Sequence, residues 1–139
     1  MDWSTELGRK AREHIESERV IWLTTTGPDW TPHPRPVWFV WDQESFLIYS
    51  RPNRGKVAHI PVHPLVSLNF NTDAASGDED VITFLGEARI VNDAPPAHQQ
   101  TAYFEKYREA IRALKMTPEE YGATYSIAIR VTPTRLWGW

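Results

Sequence analysis

The chain contains no cysteine. Disulfides, thiolate metal sites and cysteine nucleophiles are therefore excluded at the outset. Long hydrophobic runs are absent too, and no stretch approaches the roughly 20 apolar residues that a membrane-spanning helix needs. Nor is there an excess of positive charge. Fifteen Lys and Arg stand against eighteen Asp and Glu, a formal charge of −3, which argues against nonspecific nucleic-acid binding because that requires a basic face. The first residues are polar and helix-forming rather than leader-like. A soluble, cytoplasmic protein with no membrane or nucleic-acid partner is expected. At 139 residues the chain reads as a single domain, 1–139, able to bury roughly 68% of its unfolded surface. It shows no internal repeat and no low-complexity segment.

Tryptophan and proline are plentiful, at seven and eleven. Trp is large, rigid and seldom fully buried, so several should line a cleft or an interface. The chain is organised around residues 46–64, FLIYSRPNRGKVAHIPVHP. Phe46, Leu47, Ile48 and Tyr49 suit a buried strand; Pro52 stops it. Asn53 is placed to cap a short helix over 54–60, ended by Pro61. Arg51, Arg54 and Lys56 crowd the start of that helix, where a macrodipole is already positive and each cation costs roughly 0.3–1 kcal/mol. A bound anion would reverse that cost, with Ser50 and the cations converging on it and Gly55 clearing its approach to the backbone. The stretch reads as a phosphate seat; the alternative is a solvated basic loop.

In chain order, residues 2–18 read as a surface helix capped by Ser4, with Leu7, Ala11 and Ile15 on one face. Strand one covers 19–26, and Gly27-Pro28-Asp29-Trp30 is a turn. Strand two covers 33–41, apolar on both faces and so expected to be covered on both. Prolines 32, 34 and 36 mark it as an edge, or as a place where something other than a strand lies alongside. Asp42-Gln43-Glu44 turns into strand three. Strand four covers 65–72, with Val66, Leu68 and Phe70 inward. Residues 73–80 form an acidic loop without calcium-ligand spacing. Strand five covers 81–92, with Gly86 as a bulge or barrel corner. The main helix spans 95–115, with Ala97, Phe104, Tyr107, Ile111 and Leu114 as its apolar stripe. Thr117, Pro118 and Glu120 start a second helix. Strand six covers 125–131 and continues towards Trp139. The expected fold is mainly β (α+β): six antiparallel strands in hairpin order, closed as a small barrel with peripheral helices.

The segments RPVWFVWD, IYSRPNRGKVAHIPVHPLVSLNF, GEARIV and RLWGW, in that order, resemble the split-barrel flavin and deazaflavin reductases, a group that includes pyridoxamine 5'-phosphate oxidase-like proteins. The small actinobacterial branch of coenzyme F420-dependent enzymes is similar over residues 18–139. The resemblance implies a six-stranded split barrel, a homodimer with cofactor sites at its interface, and a hydride passed between reduced F420 and a small conjugated substrate, with FMN as the alternative cofactor. By position, the cofactor's phosphate falls to Ser50, Arg51 and Lys56, with Arg54 beside them. Tyr49 leads into that seat. Arg35, Pro36, Val37 and Trp38 match the segment whose backbone runs along the ring, and Trp137 or Trp139 would close the partner's site. A flat ring needs a slot with backbone hydrogen bonds and aromatic walls. Because the cofactor carries the hydride, no catalytic residue is required of the chain.

Other chemistries have weaker grounds. His59 and His63 share i, i+4 spacing, but Pro61 interrupts their helix, so no metal site is expected. Ser50 lacks an acid–base pair, which sets aside a hydrolase. His33 could touch substrate. Trp22, Trp38 and Trp41 read as barrel core or interface rather than ligand contacts; Trp3 and Trp30 have no assignment. A non-catalytic flavin- or haem-binding barrel remains the alternative from another class.

Overall fold

The computed structural model describes residues 1–73, 75, 77 and 79–139. The reading of 73–80 as an acidic loop therefore falls partly outside the described residues. Helix α1 is Glu6–Ser17; strands β1, β2, β3 and β4 are Ile21–Thr26, Pro32–Val37, Val40–Asp42 and Ser45–Ser50; α2 is Gly55–His59. Strands β5 and β6 are Leu65–Asn69 and Ile82–Val91; α3 is Thr101–Ala113, α4 is Pro118–Thr124 and β7 is Ile127–Gly138. The strands form one antiparallel sheet in the order β2-β1-β5-β6-β7-β4-β3. It curls into the half-barrel of a split barrel.

Two expectations need correction. The described residues form seven strands, not six, because the single strand expected over 33–41 is broken at Trp38-Phe39. The Phe39 backbone leaves the ladder for α3: its N–H donates to the Tyr107 hydroxyl at 2.8 Å, and Lys106 Nζ donates to its carbonyl at 2.9 Å. Nor is the order a run of hairpins, since β1 pairs with β5, and β4 with β7. β2 and β3 consequently sit at opposite ends of the sheet although two residues join them. That short link forces the sheet to curl.

Prolines 32, 34 and 36 do mark an edge, with β2 pairing only with β1. The Gly27 N–H donates to Thr31 O at 2.9 Å, so Thr31 faces β1. By alternation His33, Arg35 and Val37 face β1 as well, and each proline occupies a position whose missing N–H would have pointed away. Pro34 O is accordingly free for Arg35 Nη1 at 2.8 Å. Pro32, Pro34, Arg35 and Pro36 are exposed, so the protomer alone does not supply the cover expected on both faces of this strand.

β4 is buried at every position. Phe46 and Ile48 enter the barrel core with Ile21, Leu23, Leu68, Phe84 and Val131; Leu47 and Tyr49 enter a second layer beneath α3 and α4 with Tyr103, Tyr107 and Tyr121. Gln43 and Glu44, at φ 52° and 57°, form the turn before it, and buried Arg130 fixes that hairpin through Asp42 Oδ2 at 2.8 Å and Ser45 Oγ at 3.1 Å. Gly86 is the expected bulge: the β6–β7 register shifts there, and a Cβ would lie 2.7 Å from Thr132 O.

Local chemistry moves several element ends. Thr5, not Ser4, caps α1 by accepting the Gly8 N–H at 2.9 Å, because the Ser4 hydroxyl is taken by Asp2 at 2.6 Å. Thr117 caps α4 as expected. In α3 the buried stripe is Tyr103, Tyr107 and Ile111, while Leu114 is 49% exposed past the helix end. Trp3 closes the barrel mouth against Trp41, ring centroids 5.7 Å apart.

Candidate functional site

A cleft of about 310 Å³ opens between β2, the end of β4 and the α3–α4 hairpin. Pro36, Val37, Trp38, Tyr49, Ser50, Arg51, Arg54 and Lys56 all line it. Arg35 lies in an adjoining recess of about 330 Å³ that shares Pro36, Arg54 and Lys56 with the cleft. Nine of the eleven residues expected at the site are thus contiguous. Trp137 and Trp139 are not among them. They meet edge to face, ring centroids 5.4 Å apart, near the end of β7, 56% and 64% exposed, outside this protomer's cleft.

The charges converge differently from the sequence reading. Asn53 is not the α2 cap; Arg54 holds that position with no side-chain cap bond, and the helix has only five residues. Its dipole is correspondingly weak. The cations instead come from separate places: Arg35 from β2, Arg51 from the end of β4, Arg54 and Lys56 from the α2 turn. Among the described residues, none of the four forms an ion pair with a carboxylate. Burial, and then neighbouring Arg54 and Arg35, push the Lys56 ammonium below the usual lysine range. A half-buried, crowded cation without a counterion is an electrostatic cost that an anion would remove. Ser50 is buried with its hydroxyl donated to Arg51 O at 2.9 Å.

The opposite wall is aromatic. Trp38 lies parallel to Tyr107 (centroids 4.6 Å apart, 3° between planes) and continues to Tyr121 at 5.8 Å; Tyr121 stacks on Tyr125 at 4.4 Å. The Arg51 guanidinium caps the column 5.2 Å from the Tyr125 ring. Trp38 is thus a cleft wall as well as packing. Hydroxyls pin the column: Tyr103 and Tyr121 share a 2.8 Å hydrogen bond, Tyr49 donates to Pro95 O at 2.7 Å, and Tyr107 donates to Arg19 O at 2.8 Å. Burial pushes the Tyr49 and Tyr121 phenols up to about 12, so they stay protonated at neutral pH.

Sequence reasoning missed Tyr103, Tyr121, Tyr125 and Leu114 as lining residues. The stretch Tyr121 to Tyr125 carried the only signal, two tyrosines spaced to share a helix face. His59 and His63 do not converge. His59 Nδ1 lies 2.9 Å from Thr25 Oγ1, whereas His63 packs on Trp30 at 4.2 Å. No group of three or more metal-ligating side chains occurs among the described residues. No helix of the described residues is long and apolar enough to cross a membrane, which says nothing of β-barrel spans.

Comparison with known proteins agrees with this architecture. A conserved hypothetical protein of Mycobacterium tuberculosis superposes with a TM-score of 0.76 at 19% identity, covering 97% of this chain and 84% of that one. An F420 reductase gives 0.69 at 23% identity, covering 91% and 94%. HutZ, a haem storage protein of Vibrio cholerae, gives 0.64 at 16% identity, covering 96% and 94%. At these identities the likeness is one of fold. No curated protein matches the sequence. The family model described as pyridoxamine 5'-phosphate oxidase matches residues 7–139, and the chain belongs to that family.

Proposed function

We propose that the protein is an oxidoreductase that seats a flavin-like cofactor in the aromatic cleft, coenzyme F420 first and FMN as the alternative, and serves hydride transfer with a small conjugated substrate. One observation carries the reading: four cations that have no carboxylate partner among the described residues gather around a slot walled by stacked rings and its adjoining recess. The residues fit the group. Ser50, Arg51 and Lys56 would hold a phosphate, with Arg54 in support; Trp38 and Tyr121 would face a planar ring; the Pro36 carbonyl, turned away from β1, would accept from a ring N–H. The cofactor supplies the hydride chemistry. The chain's contribution is to bind, orient and exclude water, which suits walls of protonated phenols and indole. A haem reading has less support: the cleft's described lining has no histidine, cysteine or methionine, the hydroxyls of Tyr49, Tyr103 and Tyr121 are already hydrogen-bonded, and His33 and His59 line the adjoining recess rather than the cleft.

The functional unit in this proposal is a homodimer. Leu65 (72% exposed), Leu85, Trp137 and Trp139 stand on the outer sheet face and are the surface offered to a second copy. Trp137 or Trp139 would then close the partner's cleft. The test is fluorescence titration of the protein with F420 and FMN side by side, combined with sedimentation. F420 binding by a dimer is expected. Failure to bind either cofactor overturns the proposal.

A further inference from the structure

Next to the aromatic cleft, the recess behind Lys56 has a different character. Its walls carry Thr25, His33, Arg35, Arg54, Lys56 and His59, and its only aliphatic side chain besides Pro36 is Leu23. The His33 and His59 rings lie 4.8 Å apart. His59 Nδ1 is anchored on Thr25 Oγ1 at 2.9 Å, and its Nε2 edge faces Gly55, where a Cβ would come within 3.3 Å of the ring. With no side chain at Gly55, nothing from that position crowds this edge of the ring. Among the described residues, the Asp29 carboxylate favours the His59 imidazolium, against His33, His63 and Arg35. Three cations and two imidazoles thus share a space of about 330 Å³.

We infer that this recess is a second oxyanion subsite, for a carboxylate or phosphate group of the bound molecules, and that His59 takes up a proton when the subsite fills. The inference deepens the proposed function, on which it rests for the shared walls Arg54 and Lys56. Burial, then His33, already hold His59 below the usual histidine range. An oxyanion placed among these groups favours the imidazolium. The bound state then holds more protons between the free and bound pKa values. Affinity is complete below the free value and is lost as pH rises through the bound one.

Sulfate is the probe, because its charge is constant over this range. Histidine ring resonances of the full-length protein are followed through a pH titration with and without saturating sulfate. The His59 midpoint is expected to rise by about one unit, so that sulfate binds about tenfold more tightly well below the free midpoint than well above the bound one. His59→Gln should flatten that pH dependence. An unmoved His59 midpoint, or a pH dependence that survives His59→Gln, overturns the inference and makes sulfate an adventitious ion only. Prior saturation with F420 separates the sources: sulfate shut out assigns the subsite to the cofactor's acidic tail, and sulfate still bound assigns it to the substrate. Cofactor fluorescence reports on the aromatic cleft independently, so a failed sulfate response with intact cofactor binding leaves the proposed function standing.

Discussion

The two sides of β4 bury their residues in unlike company. Phe46 and Ile48 point into a barrel core of aliphatic and phenylalanine side chains. Leu47 and Tyr49, one residue away, point into a layer where Tyr49, Tyr103, Tyr107 and Tyr121 bury rings yet keep their hydroxyls bonded. The first region supplies stability through close packing. The second fixes orientation, since each buried hydroxyl must keep its partner or bear a desolvation cost. The cleft opens on the second region. The ring-holding wall is therefore set by directional bonds, and the barrel beneath it by volume.

Substitutions can break that division. Phe46→Ala, which removes edge contacts to Trp41 at 5.0 Å and Phe84 at 5.1 Å, should cost about 3–5 kcal/mol in urea unfolding. Cofactor affinity of the folded fraction should stay unchanged. Arg51→Ala and Lys56→Ala should do the reverse, each weakening cofactor binding by about 1.5–3 kcal/mol without lowering the thermal midpoint. Unchanged dissociation constants in both variants would remove the phosphate assignment.

Tyr107→Phe lies on the boundary. It strands the Phe39 N–H and the Arg19 carbonyl and should cost about 1–3 kcal/mol. Because Trp38 stacks on that ring, cofactor binding should weaken as well. A purely structural loss, with binding intact, would separate the wall from its support. The mildest effect is confined to alkali. The Tyr49 and Tyr121 phenols sit at about 12 when folded against about 10 unfolded. Their contribution is complete below about pH 10 and is lost as pH rises through 12. Stability followed across that window should fall, and should fall less in Tyr49→Phe.

What could be read in the sequence followed range. Thr117 and the Gln43-Glu44 turn act on near neighbours, and their roles were legible; Gly86 was legible from its own missing side chain, although what it accommodates, Thr132 O, lies across the ladder. So was the gathering of Ser50, Arg51 and Lys56, because Arg51, Arg54 and Lys56 crowd a single turn of the chain. The break at Phe39 depends on Tyr107 and Lys106, 68 and 67 positions away, and periodicity carries no trace of it. Pairing of β1 with β5, and of β4 with β7, is equally nonlocal. Tyr121 and Tyr125 became cleft walls only once α4 was folded over Trp38. The Ser4–Thr5 exchange at the first cap turned on a single competing carboxylate, Asp2.

The alternating prolines of β2 bear on how copies of this chain behave when crowded. Any extended segment that approached the outer flank of β2 would meet carbonyl oxygens and pyrrolidine rings, and would have to forgo every second inter-strand bond. Fibre-like growth from that flank is therefore self-limiting, and the Arg35 guanidinium on Pro34 O adds a charge to it. The same flank stays open to a small donor molecule, which needs only one acceptor where a polypeptide needs a row.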